Sequence, residues 1–245
     1  MLQLTKKELP IIEVKQETPT TKTITLAIGA VTFSYQPSSY IGLTLNIKNP
    51  DEKGSIRAFS LASSPTEKGK LIVASRTGKS AFKHAFAELK TGDTVKVSGP
   101  FGRFLLHENH HRPAVMLSGG IGITPLRSMI KYATDKKLPL KITLFYSNTT
   151  PEEIMFKTEL DSMQKQNKNL NIIYTITKSE ASTLQWNGNR GRITAEMIKP
   201  HIPDLKESIF YICGPSSMVR DLYALLTRLD VSPEHIKVEN FTGYE

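Results

Sequence analysis

Short apolar runs separated by turn-forming residues fill the first part of the chain. Residues 11–16, 22–27, 41–47, 56–61, 71–75 and 94–97 are β-branched or aliphatic stretches, several of them alternating apolar with polar. A period of two marks strands that bury one face. Between them lie QPSS, NPDEKG, SSPTEKGK and TGD, residues that supply turns through a preset or positive φ. Six short strands with one helical stretch, 81–89, predict a small antiparallel barrel.

The period then changes. Residues 114–117 read as a buried strand, 125–133 as a helix, 141–146 as a strand and 152–163 as a helix. A strand at 171–177, a short helix at 194–199, a strand at 208–213, a helix at 216–229 and a last strand at 237–241 follow. Such alternation builds a parallel, doubly wound sheet, here of five strands. The segment LHENHHRP, 106–113, separates the two textures, so the expected domains are 1–110 and 113–245. His107, His110 and His111 in it have no Cys or carboxylate pattern of a zinc site, and a solvated linker is expected.

Composition narrows the class. Of 245 residues, 39% are apolar and 22% charged, which is ordinary for a globular chain with a sizeable core. Cys213 stands alone, so there is no internal disulfide and no cysteine cluster for zinc or iron–sulfur. That points to a reducing compartment, and any iron–sulfur partner must be another protein. The start, MLQLTKKELP, lacks the apolar core of a leader, and the long uncharged run 23–47 is broken by Gln36, Pro37, Ser38 and Ser39. A soluble, cytoplasmic protein is expected.

The net charge of +9 is unevenly placed. Residues 1–112 carry 16 Lys and Arg against 9 Asp and Glu, a net of +7, which leaves +2 for the rest. No block of five like charges and no basic helical stripe occurs, so nucleic acid is not the expected partner. Lys68, Lys70, Arg76, Lys79 and Lys83 interleave with other residues, as on a solvated basic surface or on one that meets an acidic partner.

The most informative stretch is AVMLSGGIGITPLRSMI, 114–130. An apolar strand runs into Gly119, Gly120, Ile121 and Gly122, and Thr124–Pro125 opens a helix, where proline suits the first turn. Glycines let backbone amides approach a ligand, and a helix N-terminus favours phosphate. Glycines also make ordinary strand–helix turns. The third glycine of the usual dinucleotide fingerprint is replaced by Pro125, and no Asp or Glu ends the second strand, where Tyr146, Ser147 and Asn148 stand.

Three further patches accompany that turn in order: Arg57-Ala58-Phe59-Ser60, Gly99-Pro100-Phe101-Gly102-Arg103-Phe104 and Cys213-Gly214-Pro215. Together the four resemble the ferredoxin–NADP⁺ reductase superfamily over nearly the whole chain. The resemblance implies an N-terminal six-stranded antiparallel Greek-key flavin-binding barrel and a C-terminal nicotinamide-nucleotide domain. It implies FAD rather than FMN, NADH or NADPH as cosubstrate, and hydride transfer to the flavin. Electrons would then pass to a separate acidic protein such as ferredoxin, docking mainly on the basic barrel half. A flavin-holding subunit or redox-sensing module without turnover is the rival reading.

The resemblance also implies roles residue by residue. Arg57 neutralises flavin phosphate, which a guanidinium fork suits. Phe59 replaces the family tyrosine that packs on the isoalloxazine, and Ser60 matches the serine near flavin N5. Gly78, Lys79 and Ser80 match the turn that offers amides to flavin phosphate, with Ser80 also a natural N-cap. Ser38 and Ser39 depart from the family's P-G-Q segment and receive no flavin role; Tyr40 keeps the pattern. Gly120, Gly122 and Thr124 match the pyrophosphate and nicotinamide turn. Cys213, with Gly214, Pro215 and Met218, matches the wall beside nicotinamide C4. Glu239 and Phe241 match the E-x-F ending that covers the flavin or relays a proton, a covering role Tyr244 could take instead. The expected catalytic set is Ser60, Cys213 and Glu239. No arginine follows the second strand of this domain, which favours NADH, while Lys178, Arg190 and Arg192 are alternative sources of charge for a 2′-phosphate.

Overall fold

The computed structural model describes residues 5–29 and 33–241; Tyr244 lies outside them. The first half contains β1 (Thr5–Thr18), β2 (Thr21–Ala27), β3 (Tyr40–Thr44), β4 (Ile56–Ser60), β5 (Lys70–Arg76), helix α1 (Ala81–Glu88) and β6 (Thr94–Phe101). The strands pair antiparallel in the order β4-β3-β6-β1-β2-β5. β1 is long because it serves two neighbours, pairing with β6 through Thr5–Pro10 and with β2 from Ile11 onward. The outer strands meet where the Ala62 N–H donates to the Ile72 carbonyl at 2.8 Å, which closes the barrel. Ile24, Leu26, Ile41 and Leu43 fill it, and Phe82 and Phe86 of α1 pack against them.

The second half contains β7 (Ala114–Gly119), α2 (Ile123–Asp135), β8 (Ile142–Asn148), α3 (Lys157–Gln166), β9 (Leu170–Ile176) and β10 (Asn189–Arg190). Then come α4 (Ala195–Ile198), β11 (Ile209–Pro215), α5 (Ser216–Arg228) and β12 (Ile236–Phe241). The sheet is parallel throughout, in the order β10-β9-β8-β7-β11-β12. It has six strands rather than the expected five. The extra one, β10, is two residues long and too short to leave a pattern in sequence. Alternate residues of β7 go to opposite cores: Met116 packs with α2 and α3, Val115 and Leu117 with α4 and α5. The sheet is therefore doubly wound.

Two other expectations change. The helix expected at 152–163 starts late: Pro151–Glu153 forms one 3₁₀ turn, and α3 begins only at Lys157. Between them Phe156 takes a left-handed conformation, φ 56°. Its N–H donates to Glu17 Oε1 of the barrel at 3.1 Å, so a tertiary contact overrides local helix propensity. The same barrel hairpin reaches Glu153, whose Oε2 accepts from the Thr18 and Thr20 hydroxyls at 2.9 and 2.6 Å. Nor is the linker simply solvated at His107, although His111 is exposed. His107 stacks on Tyr211, with its Nδ1 2.8 Å from the Tyr211 hydroxyl and its Nε2 2.9 Å from the Arg112 carbonyl. A carbonyl only accepts, so Nε2 carries the proton and Nδ1 accepts from the phenol. Lys237 lies over the same ring and donates to the Leu105 carbonyl.

Candidate active site

The carboxyl edge of the parallel sheet meets the end of β4, and three of the expected residues converge there. Ser60 closes β4, Cys213 lies near the end of β11 and Glu239 is its register partner on β12. The Ser60 hydroxyl donates to Glu239 Oε1 at 2.7 Å, joining barrel to sheet. Cys213 is fully buried and Ser60 is 7% exposed. Burial raises the Glu239 carboxyl above its ordinary value, only partly opposed by the Ser60 hydrogen bond. Burial, with the Glu239 charge beside it, pushes the Cys213 thiol well up. A thiol held protonated is a small polarisable wall and not a nucleophile.

The glycine turn sits against this group. The turn 120–122 leads from β7 into α2, and Gly120 has φ 52°, where glycine has no steric penalty. A Cβ on Gly122 would lie 2.3 Å from the Cys213 carbonyl oxygen, so α2 starts in direct backbone contact with β11. Tyr146 of β8, fully buried, donates to the Gly120 carbonyl at 3.0 Å and fixes the turn from beneath. Thr124 spends its hydroxyl inside the turn, on the Ile121 carbonyl at 3.1 Å. Gly214 and Gly119 face each other beneath the Met218 thioether, with Pro215 beside them. Phe241 is the register partner of Pro215.

Arg76 was not singled out in sequence, where it looked like one more surface cation. It ends β5, and a Cβ on Gly120 would fall 2.1 Å from its Nη2, so the barrel lays a guanidinium across the glycine turn. Its Nε is buried without a hydrogen-bond partner, as are Ser118 Oγ, both amide atoms of Asn148 and Glu152 Oε2. These are the buried orphan side-chain atoms among the described residues. Ser118 is in register with Cys213, Asn148 ends β8, Glu152 follows it and Arg76 overlies the turn. Buried polar groups in native proteins find partners. A row of them along this edge fits the hydroxyls and phosphates of a dinucleotide.

The flavin side is mixed. Ser80 caps α1 by accepting from the Lys83 N–H at 3.3 Å, and the Lys83 side chain lies along Gly78. Burial lowers the Lys83 ammonium, and the charges of Arg76 and Lys53 lower it further, so cations crowd this turn. Such a cluster, beside the Gly78–Lys79–Ser80 turn and a helix N-terminus, suits a diphosphate. Arg57 stands at its border, over the Phe82 ring at 5.1 Å, paired with Asp51 at 2.7 Å and donating to the carbonyls of Lys53, Gly54 and Ile56. It would exchange some of these partners to hold phosphate.

Phe59 departs from expectation. It is the register partner of Ile41, so it shares the core-facing side of the sheet. It is 7% exposed, and its ring stacks on Phe86 at 5.6 Å and 16°. The face expected for isoalloxazine is occupied by α1. The aromatic ring beside Ser60 on its own side is Tyr40, directly opposite on β3 and leaning on Phe101 at 5.4 Å. A groove of about 810 Å³, bordered by Tyr35, Pro65, His107, Tyr132 and Lys136, includes none of Ser60, Cys213 and Glu239.

Comparison with known proteins places this geometry. Residues 8–105 match the oxidoreductase FAD-binding domain and residues 116–223 the oxidoreductase NAD-binding domain. NADH-cytochrome b5 reductase 2 of Meyerozyma guilliermondii is 32% identical over 183 residues, which cover 73% of this chain and 60% of that protein. The chain thus spans about three fifths of that relative's length. The FAD/NAD-binding domain of nitric oxide dioxygenase from Vibrio cholerae superposes with a TM-score of 0.83 at 22% identity, over 96% of this chain and 98% of that one. A ferredoxin NADP⁺ reductase from Neisseria gonorrhoeae, solved with bound FAD and NADP, gives 0.80 at 21% identity, over 96% and 98%. The chain belongs to the ferredoxin–NADP reductase superfamily, with FAD- and NAD-binding domains in that order.

Proposed function

We propose that the chain is an NAD(P)H-dependent flavoprotein reductase that takes a hydride from NADH and passes electrons to a separate one-electron carrier protein. The observation that carries the proposal is the convergence of Ser60, Cys213 and Glu239 on the glycine turn. FAD, when bound, would supply acceptance of two electrons from a nicotinamide and their release one at a time. The chain supplies alignment. Gly120 and Gly122 offer backbone amides and a helix N-terminus to a pyrophosphate, and Arg76 adds a guanidinium above them. Cys213 leaves a flat, neutral floor on which a nicotinamide ring can approach the barrel. Ser60 holds a hydroxyl at the barrel edge, and Glu239 Oε1, its acceptor, can take or return a proton there.

NADH is preferred in this reading. Asn148, Thr149 and Thr150 offer no cation after β8, and the Arg190 guanidinium is engaged with Ser179 and the Trp186 carbonyl. The acceptor is a small acidic redox protein attracted to the cationic rim around Lys53, Arg57 and Lys83. The name of the Meyerozyma relative puts a cytochrome b5-type haem protein ahead of a ferredoxin. A cytoplasmic location belongs to the same proposal and rests on the lone cysteine.

The test is purification with FAD, followed by turnover with NADH or NADPH against ferricyanide, cytochrome b5 and ferredoxin. Expected are a flavin absorption band, a higher kcat/KM with NADH and faster reduction of the acidic haem protein at low salt. A protein that binds no flavin would end the proposal. One that binds flavin yet reduces not even ferricyanide would turn it into the flavin-holding module.

A further inference from the structure

Arg127 lies on α2 one turn beyond the glycine turn, and it is only 2% exposed. All five of its N–H groups have acceptors. Nε donates to Glu159 Oε2 at 3.1 Å, Nη1 to the Ala62 carbonyl at 2.6 Å and to Glu67 Oε2, and Nη2 to Glu67 Oε1 and Glu159 Oε1. The Phe156 ring lies 5.3 Å from the guanidinium carbon. Glu159 belongs to α3, within the nucleotide half. Ala62 and Glu67 belong to the barrel, on the segment that continues from Ser60 to β5. Next to Arg127, the Ser128 hydroxyl donates to the Ser63 carbonyl at 2.6 Å and accepts from the Ser38 N–H at 3.3 Å. Ser38 holds φ 70° there, where the family pattern has glycine.

These contacts close a ring. From Ser60 the chain runs two residues to the Ala62 carbonyl, which Arg127 grips. α2 carries the connection back to Gly122, whose backbone abuts the Cys213 carbonyl. Cys213 is in register with Glu239, and Glu239 accepts from Ser60. Hydride transfer falls off steeply with donor–acceptor misalignment, so whatever sets the distance from the end of β4 to the glycine turn governs its rate. A planar fork that engages both halves at once, bidentate to each carboxylate, restrains distance and angle together.

We propose that the Arg127–Glu67 pair, with the Ala62 carbonyl, positions the flavin-bearing edge of the barrel against the nicotinamide turn for hydride transfer. The proposal rests on the reductase reading above. It assigns the pair no contact with either reactant. Glu159, which holds Arg127 from within its own half, is not part of the positioning.

The test compares Glu67→Gln with Glu159→Gln in the full chain loaded with FAD. With Glu67→Gln, the limiting rate of flavin reduction by NADH should fall about tenfold or more while the dissociation constant for NADH changes little. The long-wavelength charge-transfer absorbance formed when NAD⁺ meets the reduced protein should weaken. Amide hydrogen exchange should rise over residues 61–69. Glu159→Gln should leave all three near the wild-type values. Glu67→Asp, which keeps the charge but withdraws it, should fall between and serves if the amide variant does not fold. Equal behaviour of the Glu67 and Glu159 variants, whether both normal or both slow, would overturn the positioning role and leave the reductase reading standing. A wild-type flavin reduced by neither NADH nor NADPH would overturn both.

Discussion

Gly122→Ala isolates the contact between the nucleotide turn and β11. The residue has φ −60° and ψ −8°, which alanine adopts freely, so backbone strain does not enter. The added methyl would lie 2.3 Å from the Cys213 carbonyl oxygen, 2.6 Å from its carbon and 2.8 Å from the Gly214 Cα. All three are backbone atoms of a strand hydrogen-bonded between β7 and β12, and none can swing aside. Ordinary contact begins at 3.4 Å, so α2 and β11 must part by roughly 1 Å. Overpacking of that order costs about 1–3 kcal/mol of stability. A misplacement of about 1 Å in the nicotinamide subsite would slow hydride transfer by on the order of a hundredfold. Anaerobic stopped-flow bleaching of the flavin at saturating NADH measures the rate, and thermal unfolding measures the cost. Gly119→Ala is the control, since its methyl meets Met218 Sδ at 2.2 Å, the far end of a flexible side chain, and should be tolerated far better. A folded, flavin-loaded Gly122→Ala protein reduced as fast as wild type would refute the reasoning.

Replacing Arg76 by Met should weaken NADH binding about tenfold, most clearly at low ionic strength, because hydrogen bonds to a charged group are lost; isothermal titration of reduced and oxidised nucleotide would measure it. For Glu239 the folded carboxyl titrates above 4.5, so its contribution to stability is whole below that pH and is lost as pH rises through the raised value. Glu239→Gln should therefore melt higher than wild type near neutral pH and lose the advantage in acid, as scanning calorimetry across pH would show. His107 behaves oppositely: burial lowers it from 6.5, so its contribution is present above that pH and is lost as pH falls through the lowered value. His107→Gln should flatten that acid-side loss in the same experiment. Reduction of an acidic carrier protein should fall with added salt more steeply than reduction of ferricyanide, and parallel salt responses would count against docking on the cationic rim.

Most strands were legible because β-branched runs and Pro/Gly turns both mark them. β1 is expected only over 11–16, since Lys7 and Glu8 in its first stretch are charged and exposed and break the apolar alternation. The late start of α3 could not be read, because the left-handed Phe156 is held by Glu17, more than a hundred residues earlier. Ser60, Cys213 and Glu239 could be expected at one place because each sits in a short motif at a strand end, and the structure brings the three to one sheet edge. Phe59 was misdirected: the motif suggested an open ring face, while its pairing with Ile41 turns the ring inward onto Phe86. Arg76 and Arg127 escaped notice for a shared reason. Arg76 stands among surface lysines and Arg127 behind the glycine turn, and the meaning of each comes from Gly120 or Glu67 in the other half of the molecule.

The grip of the β1–β2 hairpin on Glu153 and Phe156 bears on attempts to re-engineer coenzyme choice. In the proposed function the segment after Asn148 meets the ribose end of the nucleotide, and here it is footed on Glu17, Thr18 and Thr20 of the other domain. A graft confined to residues 149–153 would transplant a loop without its foundation. A chimera that joined this nucleotide domain to a foreign barrel would change the loop's shape without altering one of its residues. Residues 17–20 therefore belong to the unit that a successful exchange would carry across.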